Sequence, residues 1–390
     1  MAKSPLPSRV AAPLRRREVL DGALDEAIEL GGTDGARRLS LIVDGQTVSW
    51  CTIVDFRQQI GPCLLRMAGL AGVGTHHEHR YKGYCRRVLT SALRWMRREG
   101  YDVSMLYGIT GMYPKFGYAE AFPEVAWRVA VRDAETAPRG PYRAAAFDPA
   151  RHLAAVLKLY RAANAGRTGP TARQAGTWKP FPLGRSYRTR AVVKCLCDGR
   201  GRVAGYLVHD SDRAAEVIEA GWASPAVYPA LLALAAEGAW AERAETITFR
   251  LPADDAFMRF CRPYGLTCET TFRRDGGAMI RLINVPSALG RLADLLAARV
   301  DGRGQVNLVT NLDTAALAWQ RGKLTVTPAR LGGAPTARLP QWALAQLIYG
   351  YADAADLHRD GILKAPAKTV DLLADLFPPT AHHHYDTDRF

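Results

Sequence analysis

Apolar and polar residues alternate through "RLSLIVDGQTVSWCTIVD", residues 38–55, and the alternation breaks at Asp44-Gly45. Period-two patterning across an Asp-Gly pair predicts a β-hairpin with a tight turn. A second such pattern stands at "AVVKCLCDGRGRVAGYLVHD", residues 191–210, where Asp198-Gly199 begins a longer glycine-rich turn. Each hairpin is followed by a helical run, a short apolar strand and an aromatic–glycine–apolar ending. In the first copy these are residues 84–99, "DVSMLYGI" and "MYPKFGYA". In the second they are residues 225–242, "ETITFRL" and "FMRFCRPYGL". The repeated order predicts a duplicated α+β unit with its seam in the Pro/Arg-rich residues 133–143.

A third unit follows. Leu289, Leu292, Leu295, Leu296 and Val300 share one stripe, which predicts a single helix beginning at Pro286. "VNLVTNL" and "KLTVTP" read as strands, and "LPQWALAQLIYGY" as a helix stopped by Gly350. The chain then closes on a Pro-Pro segment and a polar tail, "HHHYDTDRF".

Composition adds scale and charge. A chain of 390 residues exceeds one ordinary core, so two or three domains are expected. The net charge of +14 favours anionic partners: nucleic acid, an acidic membrane surface or a phosphorylated cofactor. Charge alone does not choose among them. Seven cysteines without a repeated CxxC spacing suggest neither a disulfide framework nor a zinc ribbon. Cys195 and Cys197 sit two apart in an alternating run and read as core on one strand face. The N-terminal segment is basic without the apolar core of a signal peptide. "YPALLALAAEGAWAE" is too soon interrupted by Glu237 to span a membrane. The expectation is a cytoplasmic protein with no membrane partner.

The densest chemistry lies in "GTHHEHRYKGYCRR", residues 74–87. Upstream, "CLLRMAGLAGV" reads as a buried strand; downstream, Tyr84, Val88, Ala92, Trp95 and Met96 recur at helical spacing. The stretch is therefore a strand–loop–helix junction with Gly83 just before the helix. Outward amides and the helix dipole make such a junction an anion site, and a glycine lets a phosphate approach the main chain. Arg80, Lys82, Arg86 and Arg87 add positive charge there. The spacing matches neither GxxxxGK[ST] nor GxGxxG. His76, His77 and His79 read as solvated loop residues, one of them within reach of a ligand phosphate, and His382–His384 as part of the polar tail; no metal is expected.

Arg80-Tyr81-Lys82-Gly83-Tyr84-Cys85, with "GITGMYPKFGYA" downstream, resembles the acetyl-CoA loop Arg/Gln-x-x-Gly-x-Gly/Ala of GNAT acetyltransferases. Cys85 departs from the small residue of that pattern. Over the whole chain the resemblance is to the Eis-like family, supported by "NAGRTG", "QLIYGYADAADL" and "DLLADLFPP". The implied fold class is α+β: a catalytic GNAT domain over residues 1–135, a degenerate GNAT-like domain over 136–280, and a sterol-carrier-protein-like domain over 281–390. "EAGWASPAVYPALLAL" lacks an Arg-x-x-Gly loop, hence the degenerate reading of the second copy.

The resemblance also implies roles. Backbone groups of Val73 and Thr75 would bind the pantetheine arm of acetyl-CoA. Amides of Arg80, Tyr81, Lys82, Gly83 and Tyr84 would bind its pyrophosphate, with Arg86 adding charge. Tyr113 matches the family's general acid, and the carboxylate of Phe390 its general base. A free α-carboxylate has a pKa near ~3.5, so that base needs burial or an intervening water. Where related enzymes place an Asn near the thioester, this chain has Gly108, Thr110 and Gly111. The acceptor implied is a primary amine of a small cationic molecule, aminoglycoside-like or a polyamine, or a lysine side chain in a peptide. Asp386, Asp388, Glu120 and Glu124 are the candidates for negative charge near it. Family members tend to be hexamers, so a homo-oligomer is expected. Two competing functions are a basic nucleic-acid-binding protein and a hydrophobic-ligand carrier. The first is motivated by "LRRRE" and "RWMRRE", but no aromatic–basic recognition motif accompanies them.

Overall fold

The computed structural model describes residues 18–23, 26–33, 35–176 and 178–390. The basic N-terminal segment, Arg15 to Arg17 included, lies outside the described residues. Among the described residues the strands form three sheets, of eight, seven and four strands.

The first sheet begins as an antiparallel meander. Ala36–Val43 turns through Asp44 and Gly45, both at positive φ (48° and 75°), into the long strand Gln46–Ile60. That is the left-handed pair an Asp-Gly hairpin turn requires. Cys63–Thr75 runs back along it, and the helix Tyr84–Arg98 crosses over to the parallel strand Val103–Tyr107. The helix lays Val88, Leu89, Ala92, Trp95 and Met96 on one face of the sheet. The opposite face shares a core with the C-terminal unit: Leu65, Met67, Val103 and Met105 pack in one cluster with Leu308, Leu317, Leu344 and Leu373.

The second sheet repeats the pattern. The hairpin Ala191–Cys197 and Val203–Asp210 continues into Arg213–Trp222, and the helix Tyr228–Ala241 leads to the parallel strand Thr246–Phe249. Cys195 and Cys197 both belong to the core between this sheet and the helix Pro149–Ala163. The two sheets exchange strands. Glu124–Ala130 lies in the second sheet between Thr246–Phe249 and Thr267–Thr271, while Ala278–Leu282 enters the first between Val103–Tyr107 and Ala119–Glu120.

Two sequence expectations change in the C-terminal unit. The helix expected to run unbroken from Pro286 is two, Val285–Arg291 and Ala293–Ala297. Leu292, two residues after Gly290, leaves helical geometry and gives its N–H to the carbonyl of Leu289, three residues back. Glycine tolerates that break at little cost because it is a poor helix former. The second change is the tail. His384, Tyr385, Thr387 and Asp388 are buried, hence "HHHYDTDRF" is interior structure rather than a polar extension.

Candidate active site

Cys63–Thr75 and Val103–Tyr107 pair for only three residues, Met67 to Gly69 against Val103 to Met105. Beyond Gly69 the two parallel strands part. A bulge between Trp50 and Thr52 in the register of the neighbouring strand, with Gly72 at φ +54°, bends Leu70–Thr75 away. Bulges bend strands in this way. Among the described residues no strand pairs with this edge of residues 70–75, so its backbone groups face a V-shaped opening. Val73 and Thr75 stand on that arm. Thr75 Oγ1 is held 2.9 Å from Ser49 Oγ.

The loop after the arm carries the candidate anion site. Gly83 caps the helix Tyr84–Arg98 at φ +81°, and Tyr81 also has positive φ, 64°. No side chain caps this helix and its first turn holds no acidic residue, so the leading amides are free to bind an anion. A Cβ at Gly83 would meet no protein atom within 4 Å. Packing does not require glycine here; the left-handed backbone and access from outside do. Arg80, Tyr81, Lys82 and Arg86 are exposed around it. A cavity of about 600 Å³ adjoins the helix start, lined by Arg86, Thr90, Thr110, Gly111, Met112, Lys115 and Phe116.

Tyr113 opens the short turn Tyr113–Phe116 and is 5 % exposed, in the core on the helix face of the first sheet. Burial, with the thiols of Cys85 and Cys51 nearby, pushes its pKa up to about 12. It therefore holds its proton at neutral pH, the state a proton donor needs.

The chain end reaches the same opening from the other face. A Cβ on Gly69 would lie 2.8 Å from the Phe390 ring, so only glycine at the vertex admits that ring. Phe390 also contacts the rings of Phe56 (5.1 Å) and Tyr107 (5.9 Å). Two residues earlier, Asp388 is tied to the second sheet through Arg173, which is fully buried. Arg173 Nε donates to Asp388 Oδ1 (2.8 Å), and Nη1 and Nη2 donate to the two oxygens of Glu219 (2.7 Å each). Nη2 also reaches Thr387 Oγ1 at 2.8 Å. The guanidinium lies 3.7 Å from the Tyr160 ring centre and 4.4 Å from that of Trp178. Tyr113 thus belongs to the core on the helix face of the first sheet, while Phe390 packs on Gly69 and against the core of the opposite face.

A second cavity, about 760 Å³, lies between the two sheets and the tail. Tyr107, Gly108 and Ile109 line it, and the next residues, Thr110 to Met112, line the first cavity, so one short segment borders both. Of the acidic candidates, Glu124 and Asp386 line this cleft. Each is paired: Glu124 with Arg273 (2.7 Å) and Asp386 with Arg389 (2.8 Å). Glu120 is buried beside it, accepts a hydrogen bond from the Gly277 amide at 2.6 Å, and has its pKa pushed up to about 7 by desolvation. His383 and His384 line the cleft as well, both held below the ordinary histidine pKa by burial. Among the described residues no group of three or more His, Cys, Asp or Glu is arranged to hold a metal ion, and no helix is long and apolar enough to cross a membrane.

Arg173, Glu219 and the cleft arginines Arg185, Arg213 and Arg250 were invisible to sequence reasoning. Arg173 meets partners 46 and 215 residues away, and no local motif signals such a meeting.

Residues 12–121 match the family model described as an acetyltransferase (GNAT) domain. No curated protein sequence matches the chain at a significant level. Among solved structures the chain is similar to a conserved protein of Enterococcus faecalis V583 described as a probable N-acyltransferase. That likeness covers 92% of this chain and 90% of the other, at 15% identity and a TM-score of 0.74. A GCN5-related N-acetyltransferase from Kribbella flavida is similar over 90% of this chain and 87% of its own, at 20% identity and a TM-score of 0.69. Eis1 from Mycobacterium abscessus is similar over 90% and 91%, at 20% identity and a TM-score of 0.63. At these identities the likeness is one of fold, and it extends through nearly the whole chain.

Proposed function

We propose that this acetyltransferase, identified as an enzyme by the GNAT domain at residues 12–121, moves the acetyl group of acetyl-CoA to a primary amine. The observation that carries the reading is the parting of two parallel strands at Gly69, beside an uncapped, glycine-led helix start. Acetyl-CoA is the second substrate and supplies the acyl group as a thioester. The free edge of residues 70–75, with Val73 and Thr75, offers backbone partners to its pantetheine arm. Amides from Arg80 to Tyr84, with the charge of Arg86, suit its pyrophosphate.

The acceptor, a small molecule or a lysine side chain, enters from the cleft between the sheets. The carboxylate of Phe390 takes a proton from the ammonium, directly or through water, so that the nitrogen lone pair can attack the thioester carbon. As the C–S bond breaks, Tyr113 gives its proton to the leaving sulfur, and the second proton of the attacking nitrogen passes to the resulting phenolate, directly or through water. The products are the N-acetyl amine and CoA. In this reading residues 1–135 form the catalytic domain, 136–280 a degenerate partner that walls the cleft, and 281–390 a sterol-carrier-like domain that delivers the tail. The assembly is a homo-oligomer, a hexamer on family resemblance. Acetyl-CoA should raise the thermal unfolding temperature, and thiol release from acetyl-CoA should depend on an added amine. A protein that neither shifts with acetyl-CoA nor releases CoA with any amine of a broad panel would refute the proposal.

A further inference from the structure

The cleft between the sheets is lined by five arginines (185, 213, 250, 273 and 389) and five carboxylates (Glu124, Asp210, Asp212, Glu216 and Asp386). The carboxylates are largely spent. Glu124 and Asp386 are in the ion pairs described above. Glu216 is shared by Arg250 (2.9 Å) and Arg185 (3.1 Å). Asp210 accepts from Thr189 Oγ1 (2.6 Å) and the amides of Arg185 (2.7 Å) and Asp212 (3.0 Å). Asp210 and Asp212 are the two lining carboxylates without an ion pair among the described residues; Asp210 is buried beneath those donors, and Asp212 accepts from Ser211 Oγ (3.0 Å) and is followed in sequence by Arg213. A polycation would find almost no carboxylate to pair with.

The guanidinium groups are less committed. Arg213 is 72% exposed along its side chain and its nearest carboxylate oxygen, on Glu216, is 4.0 Å away. Arg185 reaches Glu216 through Nη1, is 35% exposed along its side chain and lines the cleft. Both sit on the wall made by the second sheet and the 185–189 loop. The opposite wall, next to the cofactor groove, is Tyr107, Gly108 and Ile109, and Ile109 is 65% exposed. Tyr187, also largely exposed, adds an aromatic surface between the two.

We infer that the acceptor is amphoteric: a primary amine at one end, an apolar body, and an anionic group, carboxylate or phosphate, held by Arg213 and Arg185. Resting on the acetyltransferase reading above, this names its acceptor class. An amine delivered toward Tyr107–Ile109 then has its counter-charge anchored on the far wall, where guanidinium forks bind planar anions in pairs of hydrogen bonds.

The test holds the amine and the body fixed and varies only the distal charge. One series is 6-aminohexanoate, 6-aminohexanamide and 1,6-hexanediamine; a rigid one is 4-(aminomethyl)benzoate, its amide and p-xylylenediamine. The full chain is assayed by CoA release and, separately, by calorimetric titration of each amine. Losing one charge-assisted contact corresponds to about tenfold in kcat/KM or Kd, so the carboxylate should lead the amide by that factor and the diamine by more. Arg213→Gln should bring the carboxylate-to-amide ratio in the same assay close to one. A diamine that ranks first in both series, or a flat order, overturns the inference while leaving the acetyltransferase reading standing. If none of these amines binds, the inference also falls. CoA release with other amines would show that only the acceptor class was wrong, and no release with any amine would take the parent reading down as well.

Discussion

Arg173→Met is the perturbation whose cost the structure specifies best. It removes five hydrogen bonds and leaves the carboxylates of Glu219 and Asp388 buried with no cation. Each keeps neutral donors: Tyr206 Oη (2.8 Å) and Thr387 on Glu219, Tyr160 Oη and Trp178 Nε1 (3.2 Å each) on Asp388. Those partners put the expected loss at about 3 kcal/mol, the low end for a buried ion pair deprived of one member. Urea unfolding, followed by tryptophan fluorescence, measures the loss. With the tail unanchored, kcat should also fall by about tenfold or more while acetyl-CoA affinity stays within about twofold. A deficit below about 1 kcal/mol would refute the electrostatic account.

Tyr113→Phe should lower kcat by about a hundredfold, the lower end for a general acid, with little change in acetyl-CoA binding; wild-type turnover would remove Tyr113 from the reaction. Two or three residues appended after Phe390 should abolish turnover and leave the thermal unfolding temperature nearly unchanged, and a fully active extended protein would exclude its carboxylate. His382, His383 and His384 all have folded pKa values depressed by burial, so their contribution to stability is present above the unfolded value near ~6.5 and lost as pH falls below it. The unfolding temperature should drop between pH 7.5 and 5.5, and His383→Leu should flatten that slope.

The local chemistry was legible because it depends on neighbours in sequence. Asp44-Gly45 gave a turn with both residues at positive φ, and Gly83 gave a left-handed cap at the start of a helix whose apolar stripe was evident. The vertex was half legible: the loop could be read, but nothing in "RMAGLAGV" announces that Gly69 is bare to seat a ring 321 residues away. The tail misled because its composition is polar. His384, Tyr385, Thr387 and Asp388 are interior only because partners from residues 160–219 satisfy them, and such long-range pairing has no periodic signature. The helix break at Leu292 escaped for the opposite reason, since the leucine stripe continues across it while the hydrogen-bond ladder does not.

The exchanged strands govern how this protein can come into being on a ribosome. Val103–Tyr107 finds its second neighbour only when Ala278–Leu282 has been made, so the nascent first sheet must wait through more than 150 residues with an open, apolar edge. Unpaired edges of that kind recruit other chains. A fragment ending near residue 135 would keep the loop before the helix Tyr84–Arg98, and Tyr113, yet carry this edge permanently. The nascent enzyme therefore depends on shielding, by chaperones or by its own later segments, until the second half closes the first.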